Sequence, residues 1–264
     1  MSDNSSKYNF NDLLDIMEKL RSDKGCPWDK EQTHESLTNC MIEEAYEACD
    51  AISEKDSEKM TEELGDVLLQ VVFHAQIGSE DGTFNIYDIT DAICRKLIFR
   101  HPHIFGDKKF STSAQVLESW EKLKIKEKGY ESESDSMNRI PKNFPALMRA
   151  SKIQTKAQRV GFDWPDVSGA FDKIYEETAE FKQAIAQNDV SKQKEEAGDL
   201  LFAVVNVCRF LGIDSEQSLN ASSEKFIRRF THVENSCINK GLNMKHMTIE
   251  ELDKYWDEAK NENR

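Results

Sequence analysis

The chain alternates stretches in which apolar residues recur every three or four positions with short polar breaks. In the first stretch Phe10, Leu13, Met17 and Leu20 follow this spacing, which places them on one face of an α-helix. Similar patterns predict helices over residues 10–22, 36–52, 60–77, 86–99, 113–128, 146–160, 167–185, 192–211, 215–239 and 249–260. The period-two alternation typical of strands is missing, so the pattern predicts an all-α fold.

Two neighbouring helices carry acidic motifs beside their apolar faces. The motifs are Glu43-Glu44-x-x-Glu47 and Glu62-Glu63-x-Gly65-Asp66. Residues three apart share a helix face, so four carboxylates converge if the two helices pack antiparallel. Crowded carboxylates raise one another's pKa values unless divalent cations lie between them. The spacing therefore predicts a metal site, with two solvated acidic faces as the alternative.

The acidic motifs recur in the second half of the chain with the same order and spacing. The second copies are Glu176-Glu177-x-x-Glu180 and Glu195-Glu196-x-Gly198-Asp199. Glu44 to Glu177 and Glu63 to Glu196 both span 133 residues, and an accidental acidic face has no reason to repeat in this way. We therefore predict a tandem repeat of two helical bundle domains, at 1–128 and 144–264. Residues 129–143 are acidic and Ser-rich between Gly and Pro, which favours an exposed linker.

Basic and aromatic residues also repeat on the later helices. The pairs are Lys96 with Arg100, Lys225 with Arg229, Trp120 with Lys124, and Trp256 with Lys260. Magnesium held by carboxylates keeps open positions for phosphates, and arginine binds phosphate oxygens bidentately. Each tryptophan can stack on a nucleobase or simply pack in the core. These eight residues are candidate substrate ligands, and a solvated basic face is the alternative for the cations.

The residue types indicate hydrolysis of a phosphate ester or anhydride. Carboxylates without histidine favour Mg²⁺, with Mn²⁺ as a substitute, over zinc, and a di-iron bundle would need Glu-x-x-His motifs. No Walker A motif is present, so a nucleotide would be held through metal-bridged phosphates. The cation would lower the pKa of an attacking water, and a neighbouring glutamate would take its proton. The candidates for this base are Glu43, Glu62, Glu176 and Glu195, among which the sequence does not choose.

Composition excludes several other classes of function. With 35 Lys+Arg against 49 Asp+Glu the formal net charge is −14, which argues against binding to nucleic acid or to anionic membranes. Six cysteines without a C-x-x-C pair suggest neither a zinc finger nor a disulfide framework. The N-terminus lacks an apolar leader, and no run of about 18 apolar residues occurs, so we expect a cytoplasmic protein.

Taken together, the motifs resemble the MazG nucleoside triphosphate pyrophosphohydrolases in their two-domain form. Besides the doubled acidic motifs, the resemblance rests on Leu20-Arg21, Gly25-Cys-Pro-Trp-Asp29, Glu31-Gln-Thr-His34 and Arg100-His-Pro-His103. It implies an all-α bundle that dimerises and cleaves nucleoside triphosphates between the α and β phosphates with Mg²⁺. The family's metal pattern falls on Glu44, Glu47, Glu63, Asp66, Glu177, Glu180, Glu196 and Asp199. Its substrate positions match Lys225, Arg229, Trp256 and Lys260.

Both copies keep the full acidic pattern, yet domains of this family can differ in activity. The compact terminal helix with Trp256 and Lys260 leads us to expect the second domain to be the more active one. Two alternatives stay open. One is a narrower all-α pyrophosphohydrolase specific for dUTP or phosphoribosyl-ATP, and the other is a non-catalytic, metal-stabilised dimeric interaction module.

Overall fold

The computed structural model describes residues 7–129 and 132–262, which form helices and their connections with no strand among them. The chain divides into two compact units, Met1–Glu127 and Lys128–Arg264. No helix in the described ranges is both long and apolar enough to cross a membrane. The all-α prediction is therefore confirmed.

The first unit is built around a helical hairpin. Its helices are α1 (Phe10–Arg21), α2 (Pro27–Glu31), α3 (Thr38–Glu54), α4 (Ser57–Glu80), α5 (Ile86–Arg100), α6 (Pro102–Phe105) and α7 (Ser113–Lys128). Lys55 adopts a left-handed backbone (φ 59°) and Asp56 caps α4, so a two-residue turn joins α3 to α4. This turn brings the acidic motifs of the two helices together.

A small apolar core fixes α1 and the start of α3 against α4. Its buried members are Met17, Leu37, Val72, Phe73 and Ile77. At the edge of this core the Arg21 guanidinium donates to both carboxylate oxygens of Glu80 at 2.8–3.0 Å. Arg21 also donates to the backbone carbonyl of Gln32, so it ties α1, α4 and the loop after α2 into one structure.

The second unit repeats the hairpin. Its helices are α8 (Glu133–Asn138), α9 (Ala146–Arg159), α10 (Val167–Ala186), α11 (Val190–Phe210), α12 (Ser215–Asn239) and α13 (Ile249–Glu262), with a 3-10 turn at Met244–His246. Asn188 has a positive φ (55°) and Asp189 caps α11, in the manner of the first hairpin. Helices α9 and α12 pack beside α11, and α13 packs on α12.

All ten predicted helices are present, and their ends differ from the prediction by no more than three residues, as for residues 60–77 against Ser57–Glu80. The four short elements α2, α6, α8 and Met244–His246 were not predicted, since each is too short to show a period. Helix α8 lies within the predicted linker 129–143 and packs against α9, with Ser136 and Ile140 buried. The described part of that segment is thus folded, and the domain limits 1–128 and 144–264 stay a prediction.

The apolar runs after Asp66 and Asp199 differ in how far they are buried. The first run is expected to be buried on most sides, and from Val67 to Phe73 only Leu68, at 40%, is exposed. In the second run Leu201 and Phe202 are 58% and 42% exposed. Helices α5 and α12 also expose large apolar side chains, among them Ile98 and Phe226.

Candidate metal and nucleotide site

The first hairpin gathers three of its four predicted metal ligands. Carboxylate oxygens of Glu44, Glu47 and Glu63 lie within 4.8 Å of one another. Burial raises the pKa of Glu44, and the charges of Asp66, Glu47 and Glu43 raise it further. Burial and the carboxylates of Glu47, Glu62 and Asp66 likewise raise the pKa of Glu63, with Lys59 opposing them. The charge of Asp66 therefore reaches Glu44 and Glu63, although Asp66 is not one of the three residues whose oxygens lie within 4.8 Å of one another.

The second hairpin brings together all four of its predicted ligands in two overlapping groups. One group is Glu176, Glu177 and Glu180, and the other is Glu177, Glu196 and Asp199, each within 4.8 Å. Glu177 and Glu196 are only 4% and 5% exposed. Burial raises the pKa of Glu196, and Glu180, Glu177 and Glu195 add to the effect against an opposing charge on Lys192. Ionising Glu196 therefore costs free energy unless a cation is present.

Two lysines stand one turn before the buried glutamates of the second hairpin. The Lys173 ammonium lies 2.6 Å from Glu177 and 2.9 Å from Glu176, and hydrogen bonds to these two carboxylates raise the pKa of Lys173. The Lys192 ammonium lies 3.8 Å from Glu196. Sequence reasoning missed both lysines, although their i,i+4 spacing to a glutamate is a recognised signal. In the first unit the position matching Lys173, 133 residues earlier, is Cys40.

The donor set of both clusters fits a small hard cation. Magnesium binds oxygens at about 2.0–2.1 Å in an octahedron, so two ligands of one ion lie about 3–4 Å apart. Oxygens already within 4.8 Å need only a small side-chain closure. Gly65 and Gly198 support an open site, because a Cβ added at either would meet nothing within 4 Å. Tight packing within the described unit is therefore not the reason for either glycine.

A cavity of about 650 Å³ adjoins the carboxylates of the second unit, and Glu177 and Asp199 both line it. Its walls include Phe162, Trp164 and Phe202. Gly169 permits the Trp164 ring to lie close, since a Cβ there would be 2.9 Å from that ring. Cavities of this volume with apolar walls and a few polar groups are typical of small-molecule sites.

A charged network closes the far side of this cavity. The Arg209 guanidinium donates through Nη2 to Asp163 at 2.6 Å and through Nε to Asn206 at 2.9 Å. The Arg209 and Asp163 side chains are 8% and 14% exposed, so the ion pair is largely removed from water. At the position matching Asn206 the first unit has Phe73, which belongs to its core. The smaller cavity of about 270 Å³ described there touches none of the predicted metal ligands.

Of the predicted substrate residues of the second unit, the structure brings Arg229 and Trp256 together, but not among the residues that line this cavity. The Arg229 guanidinium lies 5.8 Å above the Trp256 ring, which also contacts Phe226. The Lys260 ammonium binds Asp257 at 2.8 Å, and Lys225 is exposed. None of the four predicted residues is among those described as lining the cavity.

In the first unit Arg100, which matches Arg229, is buried and held by contacts within the fold. Arg100 is 5% exposed, and its Nε donates to Glu127 at 2.7 Å while the guanidinium lies 5.4 Å from the Trp120 ring centre. Lys96 is exposed on α5, and Lys124 is half-buried on α7. The candidate bases Glu43, Glu62, Glu176 and Glu195 are all exposed next to the predicted ligands.

Two all-α units, each presenting clustered carboxylates from a helical hairpin, define a class of helical-bundle proteins with acidic clusters on paired helices. Comparison with known families identifies which one. The sequence model of the MazG nucleotide pyrophosphohydrolase domain matches residues 32–105 and again 169–234. The chain belongs to this family, as the motifs predicted.

Named relatives agree with this assignment. The chain is 48% identical over 251 residues to the nucleoside triphosphate pyrophosphohydrolase/pyrophosphatase MazG of Thermotoga maritima, covering 95% of each protein. It is 44% identical over 253 residues to the nucleoside triphosphate pyrophosphohydrolase of Escherichia coli K12, covering 94% of this chain and 95% of that protein. The crystal structure of a mazG-related protein from Thermotoga maritima matches with a TM-score of 0.38 and 26% identity, covering 43% of this chain and 97% of that one. That overlap supports no structural argument.

Proposed function

We propose that the chain is a nucleoside triphosphate pyrophosphohydrolase that cleaves its substrate between the α and β phosphates, releasing a nucleoside monophosphate and pyrophosphate. Family membership and the names of the relatives support the reaction class. The observation that carries the proposal is that Glu177 and Asp199 belong to the carboxylate cluster and also line the cavity. Phosphates at the carboxylates would leave the nucleoside free to enter that cavity.

The metal in this proposal is Mg²⁺, with Mn²⁺ as a substitute. In the second unit Glu177, Glu180, Glu196 and Asp199 would hold it, and in the first unit Glu44, Glu47, Glu63 and Asp66. A bound divalent cation polarises phosphate oxygens and lowers the pKa of water. Lys173 offsets part of the negative charge of Glu177 and lies where an incoming phosphate would need a cation.

The proton of the attacking water passes to a glutamate beside the ligands. Glu176 and Glu195 are the candidates in the second unit, and Glu43 and Glu62 in the first. Glu176 already accepts a hydrogen bond from Lys173 at 2.9 Å, so one of its carboxylate oxygens is occupied. We therefore favour Glu195, and Glu195→Gln should lower kcat more than Glu176→Gln.

The second unit carries the turnover in this proposal. This assignment is supported by the cavity beside the carboxylates of the second unit. In the first unit Phe73 stands at the position that matches Asn206, and Arg100 binds Glu127. The test compares Glu180→Ala with Glu47→Ala on one nucleoside triphosphate with Mg²⁺. Loss of a metal ligand should reduce turnover by about 100-fold or more in the first variant and much less in the second. Equal losses would refute the asymmetry, and no turnover by the unmodified protein would refute the function.

The chain is also proposed to act as a homodimer. Large apolar side chains on α5, α11 and α12 are exposed, as is typical of faces that meet a partner. Arg229 and Trp256 do not line the cavity of their own chain. In the dimer, Arg229 and Trp256 of one copy would instead reach the carboxylate cluster of the other copy's second unit. Mixing Glu180→Ala with Arg229→Ala should then restore about a quarter of the activity, since half the dimers carry one intact site. An inactive mixture would show that each copy uses its own residues.

A further inference from the structure

The polar end of the cavity in the second unit presents a hydrogen-bond donor of fixed identity. Arginine donates but never accepts, so the 2.9 Å contact from Arg209 Nε assigns the near atom of the Asn206 amide as Oδ1. The amide nitrogen Nδ2 then faces away from the guanidinium. Asn206 lines the cavity, and Nδ2 has no hydrogen-bond partner among the described residues.

The ion pair with Asp163 keeps this arrangement in place. Asp163 accepts from Arg209 Nη2 at 2.6 Å and also from the backbone N–H of Trp164 at 3.0 Å. The Asp163 carboxylate is therefore held by two donors, and it fixes the guanidinium that holds the Asn206 amide. The cavity offers a donor whose direction is set before any ligand enters.

The position of Asn206 along α11 suits the base of a nucleotide. Asn206 follows Asp199 by seven residues, which is two helical turns on the same face and about 10.5 Å along the axis. That span is comparable to the reach of a nucleoside from its 5′ phosphate to the far edge of its base. Phe162, Trp164 and Phe202 supply apolar and aromatic walls for the base between these two points.

We propose that Asn206 is a specificity-determining residue that donates a hydrogen bond from Nδ2 to a carbonyl oxygen of the nucleobase. The second unit then selects nucleotides with an oxo group at purine position 6 or pyrimidine position 4 over those with an amino group there. An amino group would set one donor against another, so the two groups could not pair with each other. This inference rests on the proposed function, because it takes the cavity to hold the nucleoside part of the same substrate.

The test uses ITP and ATP, which differ at position 6, with UTP and CTP as a second pair. The unmodified protein should show a kcat/KM about tenfold higher for ITP, since one hydrogen bond that is made with ITP and lost with ATP is worth about that factor. Asn206→Asp keeps an acceptor for Arg209 but replaces the donor with a second acceptor, so the preference should reverse toward ATP. Asn206→Ala should bring the ratio close to one, and Asn239→Asp, on the exposed end of α12, should leave it unchanged.

Equal kcat/KM values for ITP and ATP in the unmodified protein would overturn the inference, as would an unchanged ratio in Asn206→Asp. Calorimetric binding of IMP and AMP separates this outcome from failure of the proposed function, because it needs no turnover. Tighter binding of IMP, lost in Asn206→Ala, supports the assignment even if no triphosphate is cleaved. Equal binding of the two monophosphates contradicts it.

Discussion

Replacing Lys173 with methionine tests whether the buried carboxylates of the second hairpin depend on a cation. The Lys173 ammonium lies 2.6 Å from Glu177, whose side chain is only 6% exposed. Methionine keeps the length and apolar character of the side chain but removes the charge. The Glu177 carboxylate would then be buried beside Glu196 and Asp199 with its nearest cation removed, which should destabilise the metal-free protein.

The size of the effect follows from the exposure of the two partners. Breaking a buried ion pair by removing one partner costs about 3–5 kcal/mol, and an exposed pair contributes below about 1 kcal/mol. Lys173 is 40% exposed and Glu177 is buried, so an intermediate loss of about 2 kcal/mol is expected. Mg²⁺ at ten times its Kd adds about 1.4 kcal/mol to the free energy of unfolding. It should rescue the variant more than the unmodified protein, because it supplies the missing positive charge.

The measurement is the free energy of unfolding of the full chain in urea, in EDTA and in saturating MgCl₂. Lys122→Met is the matched control, since Lys122 forms an i,i+4 pair with Glu118 in which both side chains are well exposed. The control should lose less than about 0.5 kcal/mol in either buffer. A Lys173→Met deficit that is the same with and without Mg²⁺ would refute the idea that metal and lysine neutralise the same charge.

Two further predictions concern the ion pair of the first unit and the glycine before Asp199. The hydrogen bond from Arg21 lowers the pKa of Glu80. The bond therefore stabilises the fold fully at pH values above the ordinary pKa of glutamate, and this contribution is lost as the pH falls through the lowered pKa. Glu80→Gln should therefore cost about 1.5 kcal/mol in urea unfolding at pH 7 and progressively less as the pH is lowered, and a cost that does not change with pH would contradict this. Gly198→Ala should raise stability by up to about 1 kcal/mol, since the added Cβ meets open space and alanine favours helix. The kcat of the Gly198→Ala variant should fall, because the added methyl group obstructs a substrate that approaches the helix at Gly198. Unchanged kinetics would show that substrate does not approach this glycine.

The carboxylate clusters could be predicted from the sequence because their geometry is local. Glu177 and Glu180 share a face through helical spacing alone, and Glu196 joins them through one short turn. Repetition in both halves excluded coincidence. These are the distances over which sequence periodicity determines position.

The far end of the cavity could not be predicted in the same way. Asp163 and Arg209 are 46 residues apart, and only the packing of the loop after α9 against α11 makes them partners. In the sequence they stand out only as a difference from the first half, where Lys30 and Gln76 lie 133 residues before Asp163 and Arg209. A systematic comparison of the two repeats for differences, as well as similarities, would have found them.

The burial of the two apolar runs can be predicted only in part from their composition. The run from Val67 to Phe73 is apolar apart from Gln70, which indicates burial, and Leu68 is its one exposed member. In the run from Leu200 to Val207, which is apolar apart from Asn206, Val205 is buried but Leu201 is 58% exposed. Composition shows how many apolar groups a helix carries, but not which of them the packing covers.

The most direct test of the proposed reaction is to identify the products of nucleoside triphosphate turnover by the full chain with Mg²⁺, using phosphorus NMR. Cleavage between the α and β phosphates predicts one nucleoside monophosphate and one pyrophosphate for each triphosphate consumed, with EDTA abolishing both. Appearance of a nucleoside diphosphate with orthophosphate, or no consumption of any triphosphate, would contradict the proposal.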